Sequence, residues 1–281
     1  MTRSEESRVT VGLPVRNGAP FLSQALQSLM AQTLHDLQIV VSDNASDDET
    51  PTICQAASDT DSRVRVHRWR ENIGAAANFN WVADLAQSPY FAWANHDDLW
   101  HPDYLRHCVA ALKANPGAVL AYARAHLIDT NGVLMAELRS ELGLDAHCPH
   151  QRLRAFHDLF IDCDRRQLWD TPGIEGIWTP VYGVIRHDAL ASTGRIGDFI
   201  SSDTVLLEEL LMHGRFVEIP ERLFDKRDHP KRSMRASWNF DQRLAWFKGA
   251  RPSRFLFPKW RMLGGRLRAV VRAPLSPTDR L

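Results

Sequence analysis

An α/β fold, with a mostly parallel sheet flanked by helices, is what this sequence predicts, and three observations predict it. Short β-branched and apolar runs alternate with amphipathic helical patterns from residue 9 to residue 94, the signature of repeated βα units. The fourth such run, Tyr90-Phe91-Ala92-Trp93-Ala94, stops on Asn95-His96-Asp97-Asp98, and open parallel sheets bind their ligands beyond the carboxyl ends of their strands. With 281 residues, 44% of them hydrophobic, the chain is large enough for a substantial core.

Val9-Thr10-Val11-Gly12-Leu13 reads as the first strand, closed by Pro14 and the turn signal Asn17-Gly18. Pro20 suits a first helical turn, and Leu22, Ala25, Leu26, Leu29 and Met30 fall on one face of the helix that follows. Leu37-Gln38-Ile39-Val40-Val41 is the second strand. Ser46 and Glu49 match a capping box, which predicts a helix starting there and running through Thr52, Ile53 and Ala56. Arg63 to His67 is the third strand, Ala75 to Ala86 a helix, and Tyr90 to Ala94 the fourth strand.

Three strand ends therefore meet at one edge: Pro14-Val15-Arg16-Asn17, Asp43-Asn44-Ala45-Ser46 and His96-Asp97-Asp98. Taken singly, Asp43 reads as an Asx turn, Asn17 as a left-handed turn residue, and the two aspartates as caps of the next helix. Jointly they describe a nucleotide crevice. One polar side chain can read a base edge and an Asp can accept from ribose hydroxyls. Adjacent carboxylates repel unless a cation joins them to phosphate oxygens.

The ordered set of motifs resembles the inverting family 2 glycosyltransferases of the GT-A fold, over most of residues 8–230. Pro14-Val15-Arg16-Asn17 is similar to the family's first-strand motif, Ser28-Leu29-Met30-Ala31-Gln32-Thr33 to its first-helix ending, and Ser42-Asp43-Asn44-Ala45-Ser46 to its acidic second-strand turn. Glu71-Asn72-Ile73-Gly74 through Asn80 resembles the segment that borders the nucleotide, and His96-Asp97-Asp98 the D-x-D-type metal motif, with His96 in place of the first acid. The resemblance implies that Asp43 and Asn44 face the base, Pro14 and Val15 line its pocket, and Asn17, Gly74 and Asn78 border the nucleotide. It further implies that Asp97 holds ribose and that Asp98 ligates Mn²⁺ or Mg²⁺. Phe79 stands before Asn80 where many relatives carry Arg.

In the second half, Gly176 to Val184 reads as a further strand region. A helix then begins at Ser201-Ser202-Asp203, burying Leu206, Leu207, Leu210 and Leu211, pointing Glu208 and Glu209 outward and ending at Gly214. By local chemistry Asp203 is a first-turn acid favoured by the helix dipole. The resemblance implies instead the general base that takes the proton of the acceptor hydroxyl. Arg227-Asp228-His229-Pro230 resembles the family's R-x-H segment, implying that His229 completes the metal or diphosphate site, with Arg227, Lys231 and Arg232 meeting phosphate charge; a solvated basic loop is the alternative. Residues 136–172 show no zinc spacing. Trp169 and Trp178 read either as platforms for a sugar face or as core.

The expected organisation is a catalytic domain over 1–240, with a nucleotide-sugar half at 8–130 and an acceptor half at 131–240, followed by a basic amphipathic helical extension at 241–281. The implied function is metal-dependent transfer from a UDP-, dTDP- or GDP-sugar to a saccharide or lipid-linked hydroxyl in cell-envelope glycan synthesis. A non-catalytic nucleotide-sugar binder and a sugar nucleotidyltransferase are the alternatives. Neither G-x-x-x-x-G-K-[ST] nor G-x-G-x-x-G occurs, which disfavours kinases and dehydrogenases. Cys54, Cys108, Cys148 and Cys163 lack metal or redox spacing, and no signal segment or membrane-length apolar run occurs, so the expectation is a cytoplasmic protein. Residues 251–281 hold eight Lys or Arg against one acid, leaving 26 basic against 33 acidic residues before them. That tail reads either as a contact with the inner face of the plasma membrane or as a solvated end, and gives no motif for nucleic acid.

Overall fold

A computed structural model describes residues 8–168, 171–230, 232, 240–249 and 258–276. In chain order the strands are β1 (Val9–Val15), β2 (Leu37–Asp43), β3 (Val64–Arg68), β4 (Tyr90–Trp93), β5 (Leu99–Trp100), β6 (Ala118–Ile128), β7 (Leu134–Glu137), β8 (Val184–Arg186) and β9 (Arg215–Arg227). The helices are α1 (Ala19–Met30), α2 (Thr50–Thr60), α3 (Ala75–Asp84), α4 (Tyr104–Ala114), α5 (Pro149–Arg166), α6 (His187–Ala191), α7 (Ser202–His213), α8 (Phe240–Lys248) and α9 (Pro258–Arg272).

One sheet carries all of these strands in the order β3-β2-β1-β4-β8-β6-β9-β5, with β7 paired to β6. β1 pairs in parallel with β2 and β4, β2 with β3, and β6 with β9; β8 runs antiparallel between β4 and β6. The strands β1, β2, β3, β4, β6 and β9 therefore all end on one edge, and β8 starts from it. The sheet crosses both expected halves of the molecule and ties them together.

Burial on both faces explains the near-continuous apolar strands. Successive residues alternate between two cores: Tyr90, Ala92 and Ala94 pack with α1 and α4 side chains such as Leu26 and Leu105, while Phe91 and Trp93 pack with Val82 of α3 and Leu206 of α7. Gly12 lets α3 approach β1, since a Cβ there would meet Val82 at 2.6 Å. Trp93 donates its indole N–H to the Phe79 carbonyl at 2.9 Å, satisfying the one polar atom of a side chain only 1% exposed.

Three local expectations are corrected. The capping box does not form: Ser46 Oγ instead accepts the Asn17 N–H at 2.9 Å, and α2, which runs through Thr52, Ile53 and Ala56 as expected, begins only at Thr50 and buries Cys54 and Ala57. Residues 174–182 form a 3₁₀ segment rather than a strand, because Gly176 lies directly against the Arg139 backbone; only Val184–Arg186 joins the sheet. Glu208 and Glu209 point inward and are 4% and 1% exposed, because α9 supplies their counter-charges: Arg266 reaches Glu208 and Arg272 reaches Glu209. The four cysteines are free thiols, and no described helix is long and apolar enough to cross a membrane.

Candidate active site at the carboxyl edge of the sheet

Residues 95–98 turn from β4 into β5, and β5 pairs antiparallel with β9, so the turn is held beside the end of β9. Arg227 fastens it there. Its backbone N–H donates to Asp98 Oδ1 at 2.9 Å and its Nε to the Asp97 carbonyl at 3.0 Å. The rest of the guanidinium is consumed by the Asp129 and Thr130 carbonyls, Gln24 Oε1 and the ring of Phe21. At 1% exposure Arg227 is a structural clasp, which corrects the expectation that it meets phosphate. Arg232 is likewise engaged by Glu175 and Asp228, while Lys231 lies outside the described residues. The first-helix motif has a matching role: Gln32 Nε2 donates to the His101 carbonyl and Gln32 Oε1 accepts the Leu105 N–H, pinning the chain just after the acidic turn.

Asp97, Asp98 and His229 come together. His229 Nε2 lies 2.9 Å from Asp97 Oδ2, while Asp97 Oδ1 is buried with no hydrogen-bond partner. Asp98 Oδ2 accepts from Asn95 Nδ2 at 3.1 Å. Burial opposes ionisation of Asp97, but the His229 bond and surrounding cations outweigh it and hold that carboxyl below its ordinary range. Burial, then the charge of Asp97, push Asp98 up to about 7. An orphaned carboxylate oxygen beside a carboxyl that resists ionising fits a divalent cation of the Mn²⁺ or Mg²⁺ kind, which binds through one or two carboxylates and completes its shell with phosphate and water. Among the described residues no group of three or more His, Cys, Asp or Glu side chains gathers as a metal set, and the contact His229 makes here is with Asp97.

Asp203 sits in the first turn of α7, behind Ser201 in a left-handed conformation at φ 64°. Its Oδ1 accepts the Thr204 N–H at 2.9 Å, and burial raises its carboxyl above the ordinary value. Tyr182, just before β8, is half-buried and feels the charge of Asp98, Asp97 and Asp203. Trp178 packs edge-on against Phe160 and donates to Thr204 Oγ1, so it braces the start of α7; Trp169 is outside the described residues.

Lys226 is the residue that the sequence hid. It is 6% exposed, and its ammonium lies 5.1 Å from the centroid of the Tyr182 ring, which stacks in turn on Phe224. Burial and then Arg232 lower its pKa, while Asp98, Glu175 and Asp97 oppose that shift; its charge also reaches Asp203. In Phe-Asp-Lys-Arg at a strand end nothing marks a lysine as internal.

The remaining expected residues form the frame of the β1 and β2 ends. Pro14 and Val15 close β1 opposite Ser42 and Asp43, and the Asn44 N–H donates to the Val15 carbonyl at 2.8 Å. Asn17, at φ 55°, accepts the Asp47 N–H. Asp43 accepts the Ser46 N–H, and Arg68 lies across it with Nε 3.2 Å from Oδ2. Asn44 bridges to Asn72 and Ile73, and both ends of the Asn78 amide are taken by Ser42. Gly74, at φ 86°, is covered by the end of α8, where a Cβ would meet the Lys248 and Phe247 backbone. A cavity of about 360 Å³ lies elsewhere, by Tyr122, Arg215 and Glu218 at the amino ends of β6 and β9.

The chain is 31% identical over 134 residues to an uncharacterized glycosyltransferase of Rickettsia bellii, a match covering 47% of this chain and 19% of that protein; for the curated relatives first found, the match spans well under half of their own length. Over 97% of the chain, the fold superposes on S. aureus TarS 1–349 in complex with UDP-GlcNAc, with TM-score 0.66 and 12% identity over 69% of that chain. It also superposes on the mannosyltransferase PcManGT from Pyrobaculum calidifontis in complex with GDP-Man and Mn²⁺, with TM-score 0.56 and 19% identity, covering 97% of this chain and 77% of that one. These likenesses agree with the expected GT-A architecture. Residues 10–171, more than half the chain and including the β1, β2 and β4 ends just described, match the family described as glycosyl transferase family 2, and to that family this chain belongs.

Proposed function

We propose that the protein is a metal-dependent inverting glycosyltransferase, moving a sugar from a nucleoside-diphosphate sugar to a hydroxyl of a saccharide or lipid-linked acceptor in cell-envelope glycan synthesis. The observation that carries this reading is the placement of the Asp97–Asp98 pair, Lys226 and Asp203 at one sheet edge. Solved structures of similar fold holding UDP-GlcNAc, or GDP-Man with Mn²⁺, support the donor class and the metal.

Asp98 and Asp97 would hold the cation, and His229 keeps Asp97 ionised and oriented. Bound there, a divalent cation would neutralise diphosphate charge and improve the leaving group. The frame of Pro14, Val15, Asp43 and Asn44 would bound the base, with Asp97 beside the ribose. Asp203 takes the acceptor proton. Inverting transfer is a single displacement, so this carboxylate must lie opposite the leaving group, and a pKa raised by burial makes it a better base near neutrality. Lys226, whose charge acts on Asp97, Asp98 and Asp203 alike, would couple the donor acids to that base electrostatically.

The test is calorimetric binding of UDP, dTDP and GDP with and without Mn²⁺, repeated on Asp98→Ala. Binding that requires both the metal and Asp98 supports the reading and names the base. Absence of binding to any of the three overturns it. Binding without any transfer would favour the non-catalytic nucleotide-sugar binder.

A further inference from the structure

Helix α9 is built inside out. At 3.6 residues per turn, Trp260, Leu263, Leu267 and Val271 fall on a single narrow stripe about 16 Å long. They face away from the protein, being 69%, 44%, 60% and 71% exposed. The face turned inward is made of small residues: Ala269 and Ala273, each 1% exposed, pack with Met212, and Gly265 lies so close to Phe199 that a Cβ would meet its ring at 2.9 Å. An amphipathic helix docked on a soluble domain ordinarily does the reverse.

Three arginines fix this orientation. Arg266 donates twice to Glu208, at 2.6 and 2.8 Å; Arg272 donates twice to Glu209, at 2.8 and 3.0 Å; and Arg261 pairs with Asp198. Rotating the helix to bury its apolar stripe would strand Glu208 and Glu209 in the interior. The exposed stripe is therefore held outward by these three ion pairs.

We propose that this stripe is a membrane-docking surface that seats in the interface of an anionic bilayer. Charge selects that occupant. Residues 251–281 carry eight basic residues against the single acid Asp279; Arg261, Arg266 and Arg272 are paired inward, and Arg268 is exposed on α9. A second copy of the protein meeting α9 face to face would bring two such basic segments together. An anionic headgroup layer attracts them while accepting Trp260 and the aliphatic side chains, and long basic side chains can keep their charged ends at the headgroups. The acidic excess of the first 250 residues is turned away by the same field. Docking of this kind is independent of the glycosyltransferase reading.

The experiment is co-sedimentation of the full chain with vesicles of phosphatidylcholine alone and of phosphatidylcholine mixed with phosphatidylglycerol, at low and high salt. The double variant Leu267→Glu/Val271→Glu is run in parallel, with its fold checked by thermal melting and circular dichroism. The expected result is salt-sensitive binding to the anionic vesicles only, weakened about tenfold or more in the variant. Equal partitioning of the folded variant and the parent, or no binding of the parent to anionic vesicles, overturns the proposal. So does a dimer in solution that Leu267→Glu dissolves, which assigns the stripe to a second copy.

Discussion

Asp98→Asn makes the metal-free protein more stable, and increasingly so as pH rises. The folded chain holds Asp98 at about 7 against an ordinary 3.8, because the carboxyl is buried and sits next to ionised Asp97. A carboxyl whose folded pKa is raised leaves stability intact below the unfolded value and erodes it as pH climbs towards the folded one, since the unfolded chain gives up the proton first. Each pH unit within that window costs about 1.4 kcal/mol. Asparagine keeps the shape and does not titrate, so its advantage over the parent grows by about 2 to 3 kcal/mol between pH 5 and pH 8. Any fixed gain or loss from the amide's own hydrogen bonds cancels in that difference. Urea unfolding in EDTA at both pH values measures it. A stability difference that is the same at pH 5 and pH 8, or that favours the parent more at pH 8, refutes the argument that the acids are in uncompensated contact.

Asp203→Asn lowers turnover by about 100-fold or more while leaving nucleotide affinity unchanged by calorimetry, as removal of a general base requires. Lys226→Met shifts the acid limb of the rate profile to higher pH, because the Lys226 charge now holds the Asp203 pKa down, and Lys226→Arg restores the limb. Gly74→Ala, at φ 86° and against the end of α8, costs at least about 2 kcal/mol in urea unfolding. Glu209→Gln weakens the contact with Arg272, destabilising the protein by about 2 kcal/mol and freeing α9 for earlier tryptic cleavage.

What the sequence reveals depends on how local the cause is. β1, β2 and β4 are legible because strands buried on both faces are largely apolar, edge strand β3 because its valines alternate with polar residues, and α1 because Leu22, Ala25, Leu26 and Leu29 recur at helical spacing. The acidic turn is legible because a buried strand ends on it. The failures all involve distant partners. The Ser46 hydroxyl is taken by Asn17, which a local capping pattern cannot know. Glu208 and Glu209 look like a solvated helix face until α9 returns with its arginines. Arg227 reads as a phosphate ligand, yet its donors are spent on carbonyls brought in by the turns after β4 and β6. Lys226 is internal only because Tyr182 closes over it.

Gly74 and Gly249 each have positive φ and each would collide with the other's backbone if given a Cβ. The segment that begins α3 and the end of α8 therefore behave as a single hinge pin, although they lie in what composition marks as separate parts of the chain. Residues 72–74 lie directly against α8, and Lys248 of α8 pairs with Asp198 in the loop leading into Asp203. The proposed donor frame and the proposed base thus have a common neighbour in α8, and a truncation after residue 240 would remove it together with the arginines that neutralise Glu208 and Glu209 on the helix of Asp203.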